Sequence, residues 1–174
     1  AVVTRRMKAP GALMLNDVAV DGLGNVYVSD TLGSSIFRFS PQGEVFVFAQ
    51  GPELESPNGL CFFGGKLYVA AWGLAKPDWS TAKPGRLLAV DVKTKAVGVV
   101  GAPGGNLDGL ERWKGGWLIS DFAAGKVFLR DAKGKVKTLL SGFKGAADLG
   151  LIESQNLLIL PKMQENKVSA YTLK

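Results

Sequence analysis

Leu15-Asn-Asp-Val-Ala-Val-Asp-Gly-Leu-Gly-Asn-Val-Tyr-Val-Ser-Asp30 is the stretch that decides the fold. Two short apolar runs flank a Gly-rich turn, which is the pattern of a β-hairpin. The phrase returns three times: Pro57-Asn-Gly-Leu-Cys-Phe-Phe63 with Leu67-Tyr-Val-Ala70, Leu107-Asp-Gly-Leu-Glu-Arg-Trp113 with Trp117-Leu-Ile-Ser120, and Ala146-Ala-Asp-Leu-Gly-Leu-Ile152 with Leu157-Leu-Ile-Leu160. A third strand follows each hairpin, at 36–39, 86–90, 126–129 and 167–171. A fourth, more polar one follows at 44–48, 96–100 and 135–139. The first strands begin at Asn16, Asn58, Asp108 and Ala147, spaced by 42, 50 and 39 residues. Four strands per unit at this period predict an all-β fold, a β-propeller built of four-stranded antiparallel blades, with about four blades in this chain.

The whole of 1–174 reads as a single propeller domain, its blades starting near Leu15, Pro57, Leu107 and Ala146. Residues 1–10, with Val2-Val-Thr-Arg-Arg6, read as the outer strand of a preceding or closing blade. Two arrangements follow. That strand completes the last blade and closes a four-blade ring, or the chain is part of a larger propeller with blades upstream. A ring that stays open exposes strand edges and apolar surface, which favours self-association.

Composition narrows the chemistry. Apolar residues make up 47% and charged residues 21%, which excludes general disorder, and 23 glycines and 8 prolines fit many short strands. Cys61 is the single cysteine, so neither an intrachain disulfide nor a thiolate cluster can form. Within an apolar run it reads as a small core residue. There is no histidine, which removes the Ser-His-Asp triad and the commonest transition-metal ligand. Any catalysis therefore falls to carboxylates and a hard cation. The net charge of +6 is spread along the chain; Lys133, Lys135 and Lys137 have strand spacing and read as a solvated edge. No apolar stretch reaches a membrane span. Neither nucleic acid nor a membrane is expected as a partner.

The phrases 15–21 with 24–30, Ser56-Pro-Asn-Gly-Leu60, Gly85-Arg-Leu-Leu-Ala-Val-Asp91 and Leu107-Asp-Gly-Leu-Glu111 resemble the gluconolactonase/regucalcin (senescence marker protein) family, from about Leu15 to the C-terminus. The resemblance implies a six-bladed propeller with a divalent cation, usually calcium, at the centre of one face, and hydrolysis of small-molecule lactones. Carried over by position, it makes Asn16, Asn58 and Asp108 the metal ligands, with Asp108 also the catalytic acid/base. The family's first-blade Glu has no counterpart in this chain, so one of two negative charges is missing unless Asp17 or Asp148 supplies it.

The residues alone support the same place. First strands of successive blades begin at one mouth of the central channel, and Asn16, Asn58 and Asp108 share a register in three repeats. Amide and carboxylate oxygens suit calcium. Asp17 and Asp148 share the next register. Asp30 and Asp121 end second strands at the same face, where a turn cap competes with a pocket role. The longest departure from the repeat, residues 72–85, carries Trp72 and Trp79 and either overhangs the mouth or packs on its own blade; Trp113 and Trp117 read as core. A metal-dependent lactone hydrolase is the first functional reading. The alternatives are a non-catalytic propeller scaffold resembling NHL-repeat proteins, and a truncated or engineered fragment. The compartment stays open.

Overall fold

The computed structural model describes the backbone of residues 1–174 and every side chain but that of Pro103. Fifteen strands form four antiparallel sheets. The first holds β1 (Leu15–Val20), β2 (Val26–Asp30), β3 (Ser35–Phe39) and β4 (Val45–Gln50). The second holds β5 (Pro57–Phe63), β6 (Lys66–Ala71), β7 (Gly85–Asp91) and β8 (Val97–Gly105). β9 (Leu107–Trp113), β10 (Gly116–Asp121), β11 (Lys126–Arg130) and β12 (Val136–Ser141) make the third. β13 (Gly150–Ile152), β14 (Leu157–Lys162) and β15 (Lys167–Thr172) make the last, which has three strands. Each sheet keeps chain order, so each is a meander, and together they are the four blades of a β-propeller.

The blades pack through their first strands, β1 on β5, β5 on β9 and β9 on β13. Alternating side chains of neighbouring sheets fill the gaps. Tyr27, Ile36, Phe48, Leu60, Val69 and Leu88 join blades one and two. Leu87, Leu107, Leu110 and Ile119 join two and three, and Trp113, Leu118, Leu149 and Leu158 join three and four. Trp113 and Trp117 are buried as their strand positions predict.

Asp recurs at the turns for a local reason. Asp21 accepts from the backbone N–H of Leu23 and Asn25 and from Tyr27 Oη, and Asp131 accepts from the N–H of Lys133 and Lys135. These side chains replace backbone pairing that a tight hairpin cannot supply. Burial works against the Asp21 carboxylate, yet its donors hold it below the ordinary Asp range.

The N-terminal strand is not formed. Residues 1–9 are irregular and leave the last blade three-stranded. After the turn at Pro10-Gly11, where Gly11 has φ +82°, the segment lies back on the first blade. Met7, Ala9 and Ala12 cover Val28, Phe37 and Phe39, and Arg5 donates to the Pro41 carbonyl at 2.9 Å. Apolar burial on the nearest open sheet face decides its place. Val18 and Val20 of the first blade and Val168 of the last stay more than half exposed. No helix among the described residues is long and apolar enough to cross a membrane.

Candidate active site at the channel mouth

Each of the first three inner strands breaks register at its start. β1 runs three residues against two of β2 between Leu15 and Val18, β5 two against one between Pro57 and Gly59, and β9 three against two between Leu107 and Leu110. The extra residue is a β-bulge, which re-aims a side chain out of the sheet's alternation. Asn16, Asn58 and Asp108 lie inside these three bulges.

A repeated hydroxyl ties the starts together. Ser29, wholly buried at the end of β2, accepts from the Asp17 N–H at 2.9 Å and donates to the Asn58 carbonyl of the next blade at 2.7 Å. Ser120 does the same one interface on, accepting from the Gly109 N–H at 2.7 Å and donating to the Ala147 carbonyl at 2.8 Å. In the second blade the equivalent residue is Ala70, and there the strands come closer. A Cβ on Gly59 would collide with the Asp108 carbonyl oxygen. The Asp17 carboxylate spans the first interface, accepting from the Leu60 N–H at 2.6 Å.

Asn58, which is buried, and Asp108 are neighbours across the interface of blades two and three, and Asn58 is the one neighbour that favours the ionised form of the Asp108 carboxyl. Burial, followed by the charges of Asp148 and Asp17, outweighs it and pushes the Asp108 carboxyl up to about 7. Asn16 is exposed, and its Nδ2 donates to Thr31 Oγ1 at 3.1 Å; Thr31 donates in turn to the Pro57 carbonyl at 2.9 Å. That bond fixes the amide and leaves its Oδ1 without a donor. Asp17 is raised to about 6 by burial and then by Asp148, against the N–H groups of Leu60 and Val18. Asp148, open to water on one side and walled by protein on the other, is raised by the same desolvation.

Glu111 is the residue the sequence reading missed. It lines a cavity of about 270 Å³ along the inner strands with Asp17, Asp148, Leu60, Phe62 and Leu110. Burial, then Asp148 and Asp17, raise it to about 7. The available signal was its register, three residues past Asp108 and level with Cys61 in the preceding repeat. Cys61, half-buried against the core between blades two and three, also lines this wall, and burial pushes its thiol up to about 11.

The remaining candidates have other work. Asp30 accepts from the N–H groups of Leu13, Met14 and Gly33 and from Ser35 Oγ, and Asp121 accepts from the Ala124 N–H. Both are buried turn caps. Trp72 is buried, donates from Nε1 to the Trp79 carbonyl at 3.2 Å and meets the rings of Trp79 and Phe122 at 5.3 and 5.5 Å. The loop is thereby pinned across the second and third blades, and neither tryptophan lines the cavity.

Among the described residues, no three Asp, Glu or Cys side chains converge on a point that could hold a metal ion. The oxygens of Asn16, Asn58 and Asp108 are hard donors in a negative field, so their chemistry fits a divalent cation.

No family model and no curated protein matches the sequence. Solved structures do match in shape. A putative gluconolactonase superposes with TM-score 0.78 at 16% identity over 97% of this chain and 62% of its own. A catalytically inactive His-to-Ala variant of virginiamycin B lyase from Staphylococcus aureus, with quinupristin, gives 0.72 at 11% identity over 98% of this chain and 56% of its own. The computationally designed Ika4 protein gives 0.64 at 12% over 99% of this chain and all of its own. What they share with this chain is the propeller fold. The chain spans about three-fifths of the length of the two enzyme-named structures.

Proposed function

We propose that this chain carries the site of a metal-dependent lactone hydrolase of gluconolactonase type, at the mouth where the inner strands begin. The observation that carries the reading is the register break at the start of three successive inner strands, which holds Asn16, Asn58 and Asp108 at equivalent places, with burial raising the Asp108 carboxyl to about 7. Without a cation the carboxyl is balanced between its two forms near neutrality; a bound cation would favour the ionised form, the form that accepts a proton. Asp108 takes the proton of the attacking water and returns it to the leaving alkoxide of the opened ring. Asn58 beside it favours the ionised form of that carboxylate. The cavity walls at Leu60, Phe62 and Leu110, which Asn16, Asn58 and Asp108 do not themselves line, would accept the carbon frame of a small cyclic ester, and Asp17, Glu111 and Asp148 supply negative potential. Asn16, Asn58 and Asp108 would hold the cation, calcium by their oxygen chemistry, which when bound polarises the ester carbonyl.

The fold shared with a putative gluconolactonase adds support. The lyase comparison points elsewhere, because that enzyme is inactivated by loss of a histidine and these 174 residues contain none. The test is a calorimetric calcium titration of the metal-stripped chain beside Asp108→Ala, followed by a pH-stat assay on aldonolactones. One-to-one binding and turnover, both lost in the variant, support the reading. Full affinity and turnover in Asp108→Ala sink the assignment, and absence of both in the parent leaves a scaffold.

A further inference from the structure

Every interface between blades repeats one contact. Two places past Asn16, Asn58, Asp108 and Ala147 stand Val18, Leu60, Leu110 and Leu149. On the third strands, the residues paired with Ser29, Ala70, Ser120 and Pro161 are Ile36, Leu87, Val127 and Val168. Pro161 takes the place of Ser29 because Ala146 bridges Lys162 as Leu15 bridges Asp30. Ile36 of the first blade shares a core with Leu60 of the second, Leu87 with Leu110 and Val127 with Leu149. Ile36, Leu87 and Val127 are wholly buried there, and Leu60, Leu110 and Leu149 are only 5%, 3% and 4% exposed. The two members left over are Val168 of the last blade and Val18 of the first, which are 68% and 52% exposed. Leu15 and Val20 stand open beside Val18, as does Ile152 on the same flank as Val168. The end blades thus carry the two halves of an interface that the chain builds three times inside.

We propose that a second copy of this chain supplies the missing half. Val168 of each copy packs on Val18 of the other, head to tail at both ends, and four blades from each copy close a ring of eight. The chain's own last blade is not the occupant, because Val18 and Val168 are exposed in the same molecule. The outer part of the first blade's flank fits a second copy too. Inside the chain, Phe48 of a fourth strand shares the core with Leu88 and Val90. Their counterparts on the first blade are Phe37 and Phe39, paired with Val28 and Val26 as Leu88 and Val90 are with Val69 and Leu67. Met7, Ala9 and Ala12 already cover these two phenylalanines, and the incoming blade is three-stranded, so nothing competes for that place. The inference is independent of the lactonase reading, because it concerns the flanks of the end blades and not the mouth.

The experiment is sedimentation equilibrium of the full chain from about 1 μM to about 100 μM, which brackets a contact of micromolar strength. A single species of twice the chain's mass is expected at the upper end. Val18→Lys and Val168→Asp each set an unpaired charge in the contact and should weaken pairing about a hundredfold or more. Both sites are exposed in the single chain, so the circular dichroism of each variant should match the parent's. Mixed one to one, the two variants should pair again. One contact is then native, and in the other the new ammonium meets the new carboxylate, a rescue that only a head-to-tail arrangement gives. Val99→Lys, at a similarly exposed valine of the second blade, should change pairing by less than about threefold. A monomer throughout would overturn the proposal. So would a ladder of masses growing with concentration, the mark of a head-to-tail contact that does not close. Pairing that survives both single variants, or variants that stay monomeric when mixed, would overturn it as well.

Discussion

Replacing Ser29 with alanine removes one hydroxyl and strands two backbone groups. The Asp17 N–H loses its acceptor at 2.9 Å and the Asn58 carbonyl its donor at 2.7 Å, in a place where Ser29 is wholly buried. Each hydrogen bond is worth about 1 kcal/mol net, and an unpaired buried polar group costs about 1–3 kcal/mol more. Since water reaches the Asp17 side of the interface in part, the loss is about 2–4 kcal/mol. In a chain of this size that lowers Tm by roughly 5–15 °C. Urea melts read through tryptophan fluorescence measure it, because Trp72, Trp113 and Trp117 are buried at blade interfaces. The midpoint should fall with the slope unchanged, as stability and not the exposed surface has altered. Ser80→Ala, on an exposed loop where the hydroxyl meets only Asp78, is the control and should stay within about 0.5 kcal/mol. A Ser29→Ala loss no larger than the control's would refute the claim that these hydroxyls latch the blades.

Other outcomes follow from the same geometry. Asp17, Asp108 and Glu111 bind protons more tightly folded than unfolded, so the metal-free chain should lose stability as pH rises from about 4 to about 7. Below pH 4 the lowered carboxyls of Asp21 and Asp91 act in the opposite sense, which places the maximum near pH 4–5; melts that strengthen from pH 5 to 7.5 would contradict this. Gly59→Ala drives a methyl into the Asp108 carbonyl and should cost about 1–3 kcal/mol or more, whereas Gly98→Ala, with only the Ala89 carbonyl 4.0 Å from its Cβ, should be near neutral in the same melt. Cys61, its thiol raised to about 11, should react with Ellman's reagent at pH 8 at least about tenfold more slowly than a free thiol of ordinary pKa near 8.5.

The repeat was legible because propeller blades are local. Each hairpin is specified by its own alternation and turn residues, so Leu15, Pro57 and Leu107 mark blade starts in the sequence and in the structure alike. The fourth blade starts later than its phrase, at Gly150, and Ala146 makes only an isolated bridge to Lys162. Residues 1–9 were misleading for the opposite reason. An extended apolar segment becomes a strand only where a partner edge is offered, and here the open face of the first blade competes for Met7 and Ala9.

At the site, composition alone eliminated histidine and thiolate chemistry, and register alone aligned Asn16, Asn58 and Asp108. Which of them touch is a tertiary matter. The bulges and the Ser29 and Ser120 bridges set the place of each side chain, so Asn58 neighbours Asp108 while Asn16 is tied to Thr31. Glu111 and Cys61 joined the wall because the inner strands pack edge to edge around an axis, a relation between residues dozens apart in sequence. Local pattern therefore determined the strands and the kinds of chemistry available. Packing between blades decided which groups share a field, because electrostatic and hydrogen-bond energies depend on distances that the sequence does not contain.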